Sequence, residues 1–153
     1  MNRRELIAMS PAEVAAFLDE HRVVIAASNG VSGWPHLMPL WYLMRGEDVW
    51  AWTFAKSQKV RNLERDPRAT LQAEDGEEYH ELRGVMIEAD VEIHRDLEVI
   101  GAFGAQLLQR YSGAEPSPEM LAAVRTQATK RVALQFVPRR TASFDHRKLG
   151  GVY

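Results

Sequence analysis

The sequence predicts a mainly β, α+β fold, in which about six strands form an antiparallel sheet that closes into a small barrel with flanking helices. Apolar residues alternate strictly from Val85 to Ile93, which is typical of a half-buried antiparallel strand. Tight turns such as Asn29-Gly30 separate neighbouring strand-like runs. Helical segments do not follow every strand, so a parallel βαβ array is disfavoured.

The first predicted element is a helix that begins after Ser10. The Ser10 side chain can cap it, Pro11 suits the first helical position, and Glu13 can complete a capping box. We expect this helix to end near Glu20.

Six strand-like segments follow, each rich in β-branched and aromatic residues or alternating in polarity. They cover residues 22–28, 34–43, 49–54, 69–73, 79–93 and 131–137. Pro138 is expected to interrupt the sixth and to leave a separate short strand at 141–144. Pro39 cannot donate a backbone hydrogen bond, so its strand should lie at an edge or be interrupted there.

Three more helices are predicted among these strands. One starts at Ser57 and must stop near Asp66-Pro67, because the residue before a proline disfavours helical geometry. Another opens at Asp96, and the last runs from Ser117 to about Thr129. The apolar faces of the later two are expected to cover one face of the sheet.

Length and composition favour a single domain over residues 1–153 and exclude several chemistries. The chain has 153 residues, 46% of them apolar, and no cysteine. Disulfide scaffolds, thiolate nucleophiles and cysteine-ligated metals are therefore excluded. A net charge of −2 disfavours nucleic-acid binding, and no apolar stretch is long enough to span a membrane, so we expect a cytoplasmic protein.

Catalytic motifs made of side chains are absent from the sequence. None of the five histidines has a second ligand at helical spacing, and no P-loop or nucleophile elbow occurs. We therefore expect no metal site, and we expect that a cofactor supplies any chemistry.

The most informative segment joins the third strand to the next helix. Free backbone N–H groups at the helix start, the Ser57 hydroxyl and the Lys59 ammonium together predict an anion site. Lys59 opposes the helix dipole unless an anion is near. Alternatively, Ser57 merely caps the helix and the cations are solvated. Arg61 fits either a second phosphate contact or a surface charge.

The neighbouring strands supply aromatic side chains beside this anion site. His36, Met38, Leu40 and Tyr42 alternate with Leu37, Pro39 and Trp41. Together with Trp50 and Trp52 on the next strand, these residues predict an apolar slot for a planar ring. The other interpretation is that the aromatic residues form barrel core or a dimer contact.

Three motifs, in this order, resemble the pyridoxamine 5'-phosphate oxidase-like superfamily over residues 10–148, and within it the flavin/deazaflavin oxidoreductases. The motifs are residues 33–42, residues 52–53 with 57–68, and residues 81–85. The resemblance implies a six-stranded split β-barrel that forms a homodimer, with cofactor sites at the subunit interface.

The resemblance also assigns cofactor contacts. Ser57 and Lys59 match the residues that hold the cofactor phosphate, while His36 and Trp41 fall near basic and ring contacts of the family's oxidases. No catalytic side chain is identified. The full set implied is His36, Pro39, Trp41, Trp52, Thr53, Phe54, Ser57, Lys59, Arg61 and Asn62.

The sequence differs from the family's flavin oxidases in two ways, and both differences bear on the choice of cofactor. Gln58 stands where the flavin oxidases usually have arginine, and the long C-terminal substrate segment of those oxidases is missing. The resemblance therefore favours an oxidoreductase in which the deazaflavin coenzyme F420 passes hydride to an unsaturated or quinone-like small molecule. The alternatives are an FMN-dependent oxidoreductase and a flavin- or haem-binding protein without turnover.

Overall fold

The structure, a computed structural model, describes residues 2–151, so Met1 and residues 152–153 of the expected domain lie outside the described residues. Within these described residues, five α-helices and six strands alternate irregularly. The helices are α1 (Arg3–Ile7), α2 (Pro11–Glu20), α3 (Gln58–Arg65), α4 (Leu97–Ser112) and α5 (Pro118–Ala128). The strands are β1 (Val23–Asn29), β2 (Pro35–Arg45), β3 (Asp48–Phe54), β4 (Arg68–Asp75), β5 (Arg83–His94) and β6 (Arg131–Asp145).

The six strands form a closed barrel in the order β1-β2-β3-β6-β5-β4, with every neighbouring pair antiparallel. The predicted mainly β class, the strand number and the flanking helices are confirmed. Helix α2 has the predicted capping box between Ser10 and Glu13. Helix α1, which the sequence analysis did not predict, has its own capping box between Asn2 and Glu5.

The prediction of two separate strands at the C-terminal end is wrong. Strand β6 runs unbroken past Pro138, which lies opposite Ala89 of β5. The pairing shifts by one residue between Glu88 and Ala89, so Arg139 is the extra residue of a bulge. A bulge lets a strand accommodate a proline without ending. Residues 79–81, expected to begin β5, instead form a 3₁₀ turn.

Strand β2 is paired on both sides along only part of its length. Residues 35–41 pair with β1, whereas β3 pairs only with residues 42–45. One backbone edge of the first half of β2 is therefore unpaired, and Pro39 lies on this half, as predicted for a proline-containing strand. We call this opening between β2 and the end of β3 the split.

Two apolar clusters pack against the sheet, one inside the barrel and one outside it. The barrel interior is filled by fully buried side chains such as Tyr42, Leu134 and Phe136. A second cluster lies outside the barrel, where Phe103 and Leu107 of α4 pack on Trp50 and Leu43. Helices α4 and α5 thus cover the outer face of β2, β3 and β6, as predicted. No helix within residues 2–151 is long and apolar enough to cross a membrane.

Candidate functional site

A polar corner forms where β3 ends and α3 begins. Thr53 is the buried penultimate residue of β3, and the Lys59 ammonium, in the first turn of α3, donates to its Oγ1 at 2.9 Å. Lys59 makes no ion pair with any described carboxylate. Burial, reinforced by the nearby positive charge of Arg131, lowers the pKa of Lys59. The corner therefore holds an unneutralised, partly desolvated cation.

Ser57 occupies the N-cap position of α3 but does not cap the helix with its side chain. Its backbone is extended, yet no hydrogen bond reaches the first turn from its hydroxyl. The Ser57 Oγ is buried, with no partner among residues 2–151. Ser10 and Ser117 do cap their helices, each accepting at 3.2 Å. Simple capping, one of the two interpretations of Ser57, is therefore wrong for the described conformation.

Asn62 of α3 and His36 of β2 both neighbour Ser28 of β1. Asn62 is fully buried, accepts from Gln58 at 2.9 Å and donates to the Ser28 hydroxyl at 3.1 Å, so its amide ties α3 to β1. His36 lies opposite Ser28 across the β1–β2 pair, and its Nδ1 is buried without a partner among the described residues. Asn62 is thus placed to orient the helix, whereas His36 keeps a free polar atom.

The exposed cations near α3 divide into two kinds. Arg65 donates to the Asn29 carbonyl, and Arg68 forms an ion pair of 2.8 Å with Asp66. Lys56 and Arg61 are exposed and form no ion pair with a described carboxylate. Of these four cations, Lys56 and Arg61 are therefore the two without a partner among the described residues.

An aromatic groove opens beside the corner, between the outer face of the sheet and helices α4 and α5. Its volume is about 400 Å³, which suits a small-molecule ring system. It follows the unpaired edge of β2. Its lining consists of Pro39, Leu40, Trp41, Trp52, Gly104, Leu107, Leu108, Val124, Gln127 and Arg131.

Two tryptophans form walls of this groove. The Trp41 ring stacks on Tyr111 with centroids 4.2 Å apart, and 56% of Trp41 stays exposed. Trp52 lies against α4 at Gly104, where an added Cβ would come within 2.4 Å of the Trp52 ring. Gly104 is therefore required for the close approach of helix and tryptophan. Trp41 and Trp52, both expected around a ring, thus line the groove.

Trp50 and Phe54 lie elsewhere. Trp50 is buried, stacks on His94 at 4.8 Å and is covered by the Arg45 guanidinium at 4.4 Å, so it belongs to the structure under α4 and not to the predicted slot. Phe54 is exposed and contacts the Arg131 guanidinium at 4.4 Å. Phe54 therefore borders the split, with Arg131 between it and Trp52.

Arg131 is the site residue that sequence reasoning missed. It opens β6 directly opposite Phe54, and its guanidinium also lies 4.6 Å from the Trp52 ring. Nothing in the local sequence distinguishes it from neighbouring surface cations, because only the β3–β6 register brings it to the groove. Arg131 could have been identified from the sequence only if the pairing of the third and sixth strands had been known.

No group of three potential metal ligands converges among the described residues. The arrangement instead combines a half-buried ammonium, a free hydroxyl at a helix start and an aromatic groove. Such a set is suited to a ligand that carries both an anionic group and a planar ring.

Several solved structures are similar to this chain in fold. A conserved hypothetical protein, Rv2991 from Mycobacterium tuberculosis, is 40% identical, with a TM-score of 0.90 over 100% of this chain and 95% of that one. An F420 reductase (24% identity, TM-score 0.65, 83% of this chain and 94% of that one) shares the fold. So does the haem storage protein HutZ from Vibrio cholerae (17% identity, TM-score 0.68, 88% and 93%).

No curated protein is significantly similar to the chain. Residues 10–144 nevertheless match the pyridoxamine 5'-phosphate oxidase family, and they include both strands of the split, the polar corner and the whole groove. The chain therefore belongs to the pyridoxamine 5'-phosphate oxidase family.

Proposed function

We propose that this protein is an oxidoreductase that binds coenzyme F420 and transfers hydride to an unsaturated or quinone-like small molecule. The observation that carries the proposal is the buried, unpartnered Ser57 hydroxyl in the same helical turn as the unneutralised Lys59. Unsatisfied buried polar groups cost free energy, and a bound phosphate would satisfy both.

The residues present fit a phosphorylated tricyclic cofactor. Ser57, Lys59 and the first N–H groups of α3 would hold the phosphate. The groove beside Trp41 and Trp52 is large enough for the ring. The unpaired backbone edge of β2 over residues 35–41 offers hydrogen-bonding groups to a heterocycle. When bound, the cofactor supplies the redox chemistry, and the protein supplies position and electrostatics.

The choice between F420 and FMN depends on charges beyond the phosphate. Both cofactors have a ribityl chain, a phosphate and a tricyclic ring, but only F420 continues into an acidic tail. Lys56 and Arg61 are exposed and uncommitted, so they are placed to meet such a tail. FMN remains the alternative cofactor, because the corner alone would accept either. The fold likeness to HutZ keeps a non-catalytic flavin or haem carrier as a further alternative.

Fluorescence titration with F420 and FMN at low and moderate salt tests the proposal. We expect F420 to bind more tightly, with an advantage that shrinks as salt screens the exposed cations. Transfer of reducing equivalents from reduced F420 to a quinone then separates an enzyme from a carrier. Tighter FMN binding, or a preference indifferent to salt, would move the assignment to the flavin alternative.

Lys59→Ala locates the phosphate contact. We expect it to weaken binding of either cofactor about ten- to a hundredfold, the effect of losing one hydrogen bond to a charged group. Lys56→Ala is the matched control, because Lys56 is exposed outside the corner. It should leave FMN binding unchanged and reduce F420 binding only modestly. Unchanged binding in Lys59→Ala would show that the phosphate lies elsewhere.

We also propose that the protein works as a homodimer. An apolar surface lies on the outward face of β1 and β2, where Val23 pairs with Trp41 and Ala27 pairs with Leu37. Leu37 and Trp41 are each more than half exposed, and Trp34 is 79% exposed. Contiguous apolar surfaces of this kind mark interaction sites. Light scattering should give about twice 17.4 kDa, and a monomer at micromolar concentration would contradict the proposal.

A further inference from the structure

Arg131 introduces a positive charge into an otherwise apolar groove. Its Nε is buried and has no hydrogen-bond partner among residues 2–151, and its guanidinium forms no ion pair with a described carboxylate. Its observed contacts are with the Trp52 and Phe54 rings, at 4.6 and 4.4 Å. Burial lowers the pKa of Arg131, although a guanidinium stays charged at any physiological pH. Arg131 is only partly exposed to solvent, so its charge is incompletely solvated, and a bound anion would neutralise it.

The elements that enclose the groove offer no such anion. Strands β2 and β3 contribute Pro39, Leu40 and the two tryptophans, and α4 contributes glycine and leucine. Helix α5 contributes Val124 and Gln127, and Gln127 is the one other polar side chain in the lining. Arg131 lies close enough to Lys59 of α3 to help lower the pKa of Lys59, which is also a cation, while the neighbouring Lys130 is exposed. The groove is therefore aromatic in shape and uniformly positive in charge.

This combination selects among planar ligands. A neutral ring would bury its surface on Trp41 and Trp52 but would leave the Arg131 charge uncompensated. A ring with a delocalised negative charge would bury the same surface and also neutralise the guanidinium, whose planar form stacks well on aromatic systems.

We propose that the groove binds the cofactor ring in an anionic form and that Arg131 is the positioning residue that stabilises this charge. The inference rests on the proposed function and deepens it. The 8-hydroxyl group of the deazaflavin ring is a phenol, which ionises to a phenolate with its charge spread over the ring. The ring of oxidised FMN has no such group and is neutral near pH 7. Arg131 therefore discriminates in favour of F420, with one proton released to solvent when the phenol form binds.

A pH titration of the absorbance of F420, free and bound, tests this directly. We expect the phenol of bound F420 to ionise at a pH at least about one unit lower than that of the free coenzyme, a tenfold preference for the anion. Arg131→Met should abolish this shift while keeping the aliphatic stem. Arg131→Lys, which keeps the positive charge but loses the planar guanidinium, should retain part of this shift. Arg125→Met, an exposed arginine of α5 outside the groove, should leave the shift intact.

A comparison of cofactor affinities distinguishes failure of the Arg131 inference from failure of the proposed function. Arg131→Met should weaken F420 binding about tenfold more than FMN binding, whereas Lys59→Ala should weaken both alike. If F420 binds with its phenol ionising as in free solution, or if Arg131→Met leaves the shift unchanged, the role of Arg131 is refuted and the cofactor assignment stands. If neither cofactor binds the wild-type protein, the proposed function itself fails and this inference fails with it.

Discussion

Two half-buried arginines at opposite ends of the same aromatic face have different environments. Arg110, at the end of α4, donates through Nη2 to the carbonyls of Asp19 at 2.9 Å and His21 at 2.6 Å, and forms an ion pair with Asp19. Its guanidinium also lies over the Tyr42 ring. Arg131, at the start of β6, stacks on aromatic rings in the same way but has no acceptor among the described residues.

The same contrast extends to the neighbouring polar groups. At the Arg110 end, the Tyr42 hydroxyl donates to Leu18, and the Tyr111 hydroxyl accepts from the Tyr42 backbone N–H at 3.0 Å. Four buried side-chain polar atoms lack partners among residues 2–151, and three of them lie at the split. The three are His36 Nδ1, Ser57 Oγ and Arg131 Nε; the fourth is Nε of Arg110, whose Nη2 nevertheless has two carbonyl acceptors. At the Arg110 end most polar groups have partners, whereas three buried polar atoms at the split have none among the described residues.

The sharpest test of this contrast replaces each arginine with methionine, which keeps most of the aliphatic stem. Arg110→Met should reduce the free energy of unfolding by about 2–4 kcal/mol, because two charge-assisted hydrogen bonds are lost. Arg131→Met should change it by less than about 1 kcal/mol, because lost cation–π contacts are offset by relief of an unpaired charge. Urea denaturation of the cofactor-free protein measures both. Equal losses would mean that Arg131 is a structural residue after all.

A second test uses two glycines of α4. A Cβ at Gly104 would lie 2.4 Å from the Trp52 ring and 2.8 Å from Val124 Cγ1, so Gly104→Ala should cost about 1–3 kcal/mol by overpacking. Gly101, one turn earlier, has nothing within 4 Å of an added Cβ. Gly101→Ala should therefore stabilise the helix by about 0.5–1 kcal/mol. The thermal midpoints of the two variants should move in opposite directions.

Gly104→Ala also reports on the groove. Since Trp52 must move to admit the methyl group, ring binding should weaken while the Ser57 and Lys59 corner is untouched. Inorganic phosphate, which has no ring, should compete for the corner as well in this variant as in the wild type. Unaltered cofactor affinity would place the ring outside the groove.

The smallest expected effects concern two serines at helix starts. Ser10 caps α2, so Ser10→Ala should cost about 1 kcal/mol of unfolding free energy. Ser57 makes no side-chain cap, so Ser57→Ala should be nearly neutral for stability and should instead weaken phosphate or cofactor binding. Chemical denaturation paired with cofactor titration resolves the two effects. A stability loss at Ser57 equal to that at Ser10 would restore the simple capping interpretation.

Much of the fold could be predicted from local chemistry. The alternation in β5, the capping box at Ser10 and the stop before Pro67 depend on a few neighbouring residues, and they appear where the sequence places them. The continuity of β6 could not be predicted, because whether Pro138 breaks a strand depends on the bulge opposite Ala89. A bulge is a property of two paired strands and leaves no signal in one of them.

In the candidate site, too, contacts between residues close in sequence could be predicted, whereas those that depend on tertiary packing could not. Ser57, Lys59 and Thr53 lie within seven residues at one strand–helix junction, so their proximity is local and the sequence alone indicated it. The interpretation of Trp50 as part of the slot was wrong, because helix α4 packs over it. Asn62 was expected at the cofactor, but its amide is occupied by Gln58 and Ser28.

By itself, therefore, the sequence determined most of the secondary structure, the absence of cysteine, and the proximity of Thr53, Ser57 and Lys59, since each depends on composition or on residues close together in the chain. Only the tertiary structure decided which aromatic rings share a groove, that β2 has an open edge, and that Arg131 stands unpaired between Trp52 and Phe54. The physical reason is that pairing partners across the barrel are far apart in the chain, as Phe54 and Arg131 are. Burial and charge compensation at such positions are set by strand register and helix packing, which no local pattern specifies.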